Sequence, residues 1–240
     1  MKYIFSDFDG TLTNEAGLLT PAFHDLLTLI KKQKKTLVIV TGRSASWGHF
    51  FLSHFEIDYV VAESGGVIIY RKDNIIKTKC LSNLDKIQKM EKILKKKFPS
   101  LVWGEDNVGR LTDRSLEFES FKGVKGKKTL VKLKDFFLKA GVYYTVSSIH
   151  LNFQMSKNQS KWSGTQFLVN KIWKIPLSIL DNDSMFFGDS LNDEIMFKMM
   201  KLTFGVSNIK NCLADLKYPP KTILKLPGIL GPLNYLMKKD

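Results

Sequence analysis

Apolar residues along this chain gather into short continuous runs separated by stretches of helical spacing. Tyr3-Ile4-Phe5, Thr36-Leu37-Val38-Ile39-Val40 and Tyr59-Val60-Val61-Ala62 have the length and the β-branched and aromatic content of buried strands. Between the first two, Thr20-Pro21 reads as a helix N-cap with proline at the first helical position. Phe23, Leu26, Leu27 and Ile30 then recur at helical spacing, and a second helix is expected over residues 45–54. Strand and helix in alternation call for right-handed crossovers in a parallel sheet. Val67-Ile68-Ile69-Tyr70, entered through Glu63-Ser64-Gly65-Gly66, reads as a hairpin strand at the edge of that sheet.

The pattern changes over residues 75–156. A lysine-rich helix is expected over 83–98 and another over 129–140. Short segments at Leu101-Val102-Trp103 and Ser115-Leu116-Glu117-Phe118 lie between them. Strands over 142–146 and 149–153 follow, separated by Ser147-Ser148. Such a mixture makes an α+β module with an antiparallel sheet. The parallel pattern then resumes with a helix from Ser160-Lys161, a strand at Met185-Phe186-Phe187, a helix over 194–200 and a strand over 202–206. A short helix is expected near the end. The expected fold class is α/β, with a core of residues 1–74 and 157–240 and an insertion of residues 75–156.

Composition narrows the setting. A hydrophobic content of 44% and a charged content of 25% are ordinary for a globular protein, and no apolar run approaches bilayer-spanning length. Cys80 and Cys212 are far apart and lack metal-spaced partners, which argues against a disulfide scaffold or a zinc site and fits a reducing cytoplasm. Met1-Lys2 leads straight into the first strand, with acids by position 7, unlike a signal peptide. A cytoplasmic protein without a membrane partner is the expectation. The formal net charge of +14 comes almost wholly from lysine, in runs at 31–35, 95–97 and 125–128. Such a field attracts nucleic acid or an anionic membrane surface. The runs fall mostly at expected helix ends, however, where lysine favours the macrodipole and stays solvated. Aromatics and arginines are not interleaved with them as on a single-strand-binding surface. We therefore expect a solvated face that helps recruit an anionic substrate, with nucleic acid not an expected partner.

The candidate chemistry begins at Asp7-Phe8-Asp9-Gly10-Thr11, where the first strand ends in two carboxylates and a glycine. Aspartate and glycine also make ordinary turns, so this stretch alone is ambiguous. Three others remove the ambiguity. Thr41-Gly42-Arg43 leaves the second strand, Lys161 opens a helix, and Gly188-Asp189-Ser190-Leu191-Asn192-Asp193 leaves a later strand. Parallel strands share one carboxyl edge, where open α/β proteins bind ligands. Asp7, Asp9, Asp189 and Asp193 converging there would repel each other unless a cation sat between them. Oxygen ligands without histidine or cysteine point to Mg2+, which shares its shell with substrate phosphate. A hydroxyl and a lysine nearby would neutralise the phosphate oxygens.

These four stretches resemble, in order, the four motifs of the haloacid dehalogenase superfamily of phosphohydrolases. The resemblance implies a Rossmann-like parallel-sheet core and a mobile cap. An insertion between the second and third motifs is similar to the large α/β cap of sucrose-phosphate, trehalose-phosphate and mannosyl-3-phosphoglycerate phosphatases (subfamily IIB). It implies that Asp7 is the nucleophile and forms an aspartyl-phosphate, and that Asp9 is general acid and then base. Mg2+ would be held by Asp7, the Asp9 carbonyl and Asp189, supported by Asp193 and Asn192. Thr41, Gly42 and Lys161 would bind the phosphoryl group of a small phosphorylated metabolite such as a sugar phosphate.

Other positions leave alternatives open. Lys157 competes with Lys161, which the Ser160 cap favours; the family's glycine directly after this lysine is replaced by Trp162-Ser163-Gly164. Arg43 would meet a substrate anion or Glu63. Asn208 would stand near the site or in a plain turn. In the insertion, which would select the substrate, Asp113-Arg114 with Glu117 and Glu119 resembles caps of the mannosyl-3-phosphoglycerate type, making Arg114 a candidate. His150, Asn152 and Gln154 alternate along one strand and would face a sugar or, the preferred reading, solvent. Trp103 is expected in the core. A phosphomutase, or a basic nucleic-acid-binding or regulatory protein built on a phosphatase-like core, are the alternative functions.

Overall fold

The computed structural model describes residues 1–146 and 150–238. In chain order the elements begin with β1 (Tyr3–Ser6), α1 (Pro21–Lys32), β2 (Thr36–Val40), α2 (Ala45–His54) and β3 (Tyr59–Ala62). The hairpin β4 (Val67–Lys72) and β5 (Ile75–Cys80) follows. The insertion contributes α3 (Leu84–Lys97), β6 (Asp113–Glu117), α4 (Gly123–Ala140), β7 (Tyr143–Val146) and β8 (His150–Gln154). The chain then returns through α5 (Lys161–Phe167), α6 (Ile179–Asn182), β9 (Ser184–Gly188) and α7 (Glu194–Met199). It ends with β10 (Thr203–Gly205), β11 (Thr222–Ile223) and α8 (Leu230–Met237).

The larger sheet runs β11-β10-β9-β1-β2-β3-β4-β5. The pairings from β11 through β3 are parallel, and β4 and β5 add antiparallel strands at one edge. The α/β expectation holds for a simple reason. Successive residues of β1 and β2 point to opposite faces, and both faces are covered. Ile4, Leu37 and Ile39 pack under α1, α2 and α8, whereas Phe5, Val38 and Val40 pack against Leu168, Leu180 and Phe197. Hence these strands read as unbroken apolar runs.

Two boundaries differ from the sequence reading. Residues 75–80, expected in the insertion, form the edge strand of the larger sheet. Asp73 and Asn74 both have positive φ, at 53° and 60°, and join β4 to β5 as a two-residue hairpin turn. The second helix of the insertion starts at Gly123 rather than at 129, because its lysine–glycine stretch packs on the Phe118–Phe121 turn. The expected Ser147-Ser148 turn lies outside the described residues.

The smaller sheet is antiparallel, ordered β6-β8-β7. One face carries Leu116, Leu151 and Phe153 and is covered by α3 and α4 through Ile87, Leu94, Leu133 and Phe137. Trp103 packs against this cluster as expected. The other face presents Asp113, Ser115, Asn152 and Gln154. All four are buried.

Candidate active site

The carboxyl edge of the larger sheet gathers the motif residues. The Asp7 N–H donates to the Phe187 carbonyl at 2.9 Å, extending the β1–β9 ladder by one residue. Phe8 turns into the core against Phe51 and Trp47, leaving Asp7 and Asp9 at the edge. Gly10 has φ +75°, and a side chain there would meet Asp189 Oδ2 at 2.3 Å. Thr41 follows β2, the neighbour of β1 in the sheet, at the same carboxyl edge and is fully buried. Its Oγ1 accepts the Arg43 N–H at 3.0 Å, leaving its own O–H to donate.

Lys161 arrives from the other side of the chain. It is the first residue of α5, where the Ser160 hydroxyl accepts the Ser163 N–H at 3.1 Å in a capping box. Gly65, at φ +96°, lets this helix start approach: a side chain there would lie 1.8 Å from the Ser160 carbonyl. Lys161 Nζ donates to Asp7 Oδ1 at 2.7 Å, Asp193 Oδ1 at 2.6 Å and Asn192 Oδ1 at 3.0 Å. Lys157 is exposed. Asp193 Oδ2 accepts the N–H groups of Asp189 and Ser190 at 2.9 and 3.2 Å, so both its oxygens are engaged. Asp193 thus fixes Lys161 and the Asp189 loop together.

Carboxylate oxygens of Asp7, Asp189 and Asp193 lie within 4.8 Å of one another, with one ammonium among them. Burial pushes Asp7 up to about 7, against the pull of Lys161. Burial, then the charges of Asp7 and Asp193, push Asp189 up to about 9. Burial alone would lower Lys161, but Asp193 and Asp7 outweigh it and hold its ammonium above the usual lysine range. One ammonium faces three carboxyl groups, and the potential metal ligands are all oxygen. That donor set fits a hard divalent cation such as Mg2+.

Asp9 stands apart from this cluster. Arg43 grips it bidentately, Nε to Oδ2 at 2.8 Å and Nη2 to Oδ1 at 2.5 Å, and stacks on Trp47 at 4.6 Å. Arg43 therefore does not pair with Glu63. Asn208 is no plain turn residue: its Nδ2 donates to the Gly10 carbonyl and to Asp189 Oδ2, both at 3.1 Å. A cleft of about 720 Å³ opens from Asp9, Arg43, Asp189 and Asn208 toward Asn14–Gly17.

The insertion lies over this edge. Arg110 Nη1 donates to the Gly42 carbonyl at 3.0 Å, and β7 lies against the Leu191–Asp193 turn. Asn152 Nδ2 is 3.3 Å from where a side chain on Gly42 would begin. Asn152 and Gln154 are buried, so this strand face is not the solvated one the alternation suggested. His150 pairs with Glu117 at 3.0 Å. Arg114 points to the opposite face of β6, held by Glu91 at 2.6 Å and by the carbonyls of Arg110 and Asp113. It is therefore not among the groups facing Gly42.

Sequence reasoning missed the group that holds the insertion in place. Glu63, fully buried at φ +51°, accepts from the N–H groups of Ala45, Leu111 and Thr112 and from the Thr112 hydroxyl. Arg110 is clamped by Asp106 and Asp113. Their spacing around Arg110 (four before, three after) was the readable signal; Glu63 offered none beyond its turn. Burial pushes Asp113 up to about 7, against Arg110 and with the help of Glu63. The folded chain thus binds this proton more tightly than the unfolded one, so the contribution of Asp113 to stability falls as pH rises from about 4 to about 7. Asp113→Asn should flatten that fall by on the order of 2 kcal/mol in urea unfolding across this window. An unchanged pH slope would remove Asp113 from the explanation.

The sequence matches the family described as haloacid dehalogenase-like hydrolase over residues 4–142 and 124–215. The chain belongs to that family. No curated protein matches the sequence. Among solved structures, Thermoplasma acidophilum protein 0175 is similar at TM-score 0.78 and 16% identity, covering 99% of this chain and 97% of that one. The phosphatase BT1666 from Bacteroides thetaiotaomicron is similar at TM-score 0.70 and 17% identity, covering 100% and 94%. BT4131, described as a subclass IIB sugar phosphatase, is similar at TM-score 0.68 and 14% identity, covering 100% and 99%. At such identities these likenesses show the shared fold. A haloacid dehalogenase-like hydrolase with a large inserted α+β module is what fold and family together establish.

Proposed function

We propose that this hydrolase is a cytoplasmic, Mg2+-dependent phosphatase acting on a small phosphorylated metabolite, a sugar phosphate, through an aspartyl-phosphate on Asp7. The observation that carries this reading is the buried triad in which Lys161 bridges Asp7 and Asp193 beside Asp189. Asp7, the Asp9 carbonyl and Asp189 would hold the cation, with Asn192 and Asp193 supporting them. When bound, the cation lowers the negative charge at the site and so reduces repulsion between Asp7 and the phosphate. Asp7 attacks phosphorus, the bond to the leaving oxygen breaks, and Asp9 gives that oxygen its proton. Asp9 then takes a proton from water as the water attacks phosphorus. The Asp7–phosphorus bond breaks and inorganic phosphate leaves. Thr41, the Gly42 turn and Lys161 bind the transferring group and offset its charge.

Arg43 occupies both Asp9 oxygens. Productive binding therefore requires Arg43 to shift onto the substrate, which frees Asp9 for proton transfer. On the buried polar face, Ser115 and Gln154 are engaged by Asp106 and by the Ser156 and Gln159 carbonyls. Asn152, beside Gly42, has an Oδ1 without a hydrogen-bond partner among the described residues, which supports a leaving group that carries a hydroxyl, as a sugar does.

The test is phosphate release from a panel of sugar phosphates and small phosphoesters, with Mg2+ and with EDTA. Mg2+-dependent release strongest on sugar phosphates is expected. Relocation of phosphate on the sugar would indicate a mutase, and no reaction with any ester would overturn the reading. Asn208 steadies Asp189 at 3.1 Å, so Asn208→Ala should raise the Mg2+ concentration for half-maximal activity by about 10-fold or more. An unchanged Mg2+ requirement would remove Asn208 from the metal's surroundings.

A further inference from the structure

The charge that the sequence left spread over the chain is concentrated by the fold. Six lysines on α3 and six on α4, against three acids, give these two helices nine of the chain's fourteen net positive charges. They do so with 14 and 18 of its 240 residues. Both helices bury their apolar faces on the same side of the smaller sheet, away from the face that meets Gly42. All twelve lysines are solvent-exposed. The result is one broad cationic surface on the outside of the insertion.

This surface is not purely polar. Val124, Val131 and Leu138 are 73%, 69% and 81% exposed. They recur every seven residues along α4, which places them in one stripe on the side opposite buried Leu133 and Phe137. The stripe is roughly 21 Å long. Lys128 and Lys132 lie beside it, and Ile93 on α3 is 47% exposed with Lys89 and Lys97 one turn to either side. Three aliphatic side chains held in water among lysines have no structural use within the fold.

We propose that the outer face of α3 and α4 docks on an anionic lipid surface. The lysines meet the headgroup charges, and Val124, Val131 and Leu138 enter the headgroup–acyl boundary. Two alternatives fit less well. A second copy of the chain would bring two surfaces of nine net positive charges together. A nucleic acid would meet the lysines but leave the aliphatic stripe unburied, and neither helix has an arginine or exposed aromatic ring for base contacts. Lipid contact agrees with the finding that, among the described residues, no helix is long and apolar enough to cross a membrane. The docking is peripheral, and the catalytic edge faces away from the bilayer.

Sedimentation with lipid vesicles tests this. The full chain should bind phosphatidylglycerol–phosphatidylcholine vesicles at low salt, lose binding at high salt, and ignore pure phosphatidylcholine. Two variants at exposed positions, V131S with L138S and K128E with K132E, should each weaken binding about tenfold while leaving catalysis unchanged. Absence of binding to the anionic vesicles would overturn the proposal. So would binding indifferent to V131S with L138S, which would mean adsorption by lysines alone. Tighter binding to a single-stranded RNA oligonucleotide than to vesicles would transfer the surface to nucleic acid. A dimer in solution that V131S with L138S dissociates would transfer it to self-association.

Discussion

Asp7→Asn should abolish phosphoester turnover, lowering kcat by on the order of 10⁴-fold or more, while leaving the fold intact. The substitution keeps the shape of the side chain and its hydrogen-bonding reach toward Lys161, 2.7 Å away. It removes the oxygen that attacks phosphorus in the proposed mechanism, since an amide does not form an acyl phosphate under these conditions. Stability should not suffer. Asp7 is a buried carboxylate pushed up to about 7 by burial, so replacing it with a neutral group relieves a crowded cluster. The folded native protein holds this proton more tightly than the unfolded chain, and the gain from Asp7→Asn should therefore grow as pH rises from about 4 toward 7. Parallel measurements of phosphate release and urea unfolding check both halves. An inactive variant that is also unfolded would leave the loss of activity unrelated to nucleophilicity; retained activity would mean that another group attacks.

Lys161→Met should be costly in both respects. The ammonium is the only cation within hydrogen-bond reach of Asp7 and Asp193 among the described residues, and it is almost completely buried. Removing one partner from a buried ion pair leaves uncompensated charge, which costs about 3–5 kcal/mol. If Lys161 offsets the charge of the transferring phosphoryl group as proposed, its loss should cost on the order of 10³-fold in kcat. The stability penalty has a definite pH dependence. Without Lys161, the carboxylates can shed their charge only by taking protons, so the variant should be closer to native stability at pH 5 than at pH 8. A penalty that grew toward acid would contradict the ion-pair account. Lys157→Met is the control, because that side chain is exposed and away from the cluster.

The parallel core was legible because its strands are buried on both faces and therefore apolar without interruption. The gathering of the motif residues at one sheet edge was legible because each acid, hydroxyl and lysine stands directly at a strand or helix end. Ser160 capping α5 gave Lys161 its place in advance. The hairpin was expected, but its second strand, β5, was placed in the insertion because, with Lys77 and Lys79, it resembles the lysine-rich segment that follows it. Arg114 lies away from the Gly42 side because period-two alternation along β6 sends it to the helix side, where Glu91 holds it, while Asp113 and Ser115 lie on the opposite, polar face. Glu63 was invisible as an anchor. Apart from the Thr112 hydroxyl, its carboxylate partners are backbone N–H groups of Ala45 and of residues 111–113, and no side-chain pattern announces a carboxylate that binds backbone.

The most direct test of the central claim is to find the phosphorylated residue itself. Native protein mixed with its best sugar phosphate and Mg2+ would be acid-quenched within a single turnover, digested, and its peptides weighed. A phosphoryl group on the peptide containing Asp7, absent without substrate and absent in Asp7→Asn, is the predicted result. Turnover with no phosphopeptide at any quench time, or with the phosphoryl group on a peptide lacking Asp7, would contradict the account.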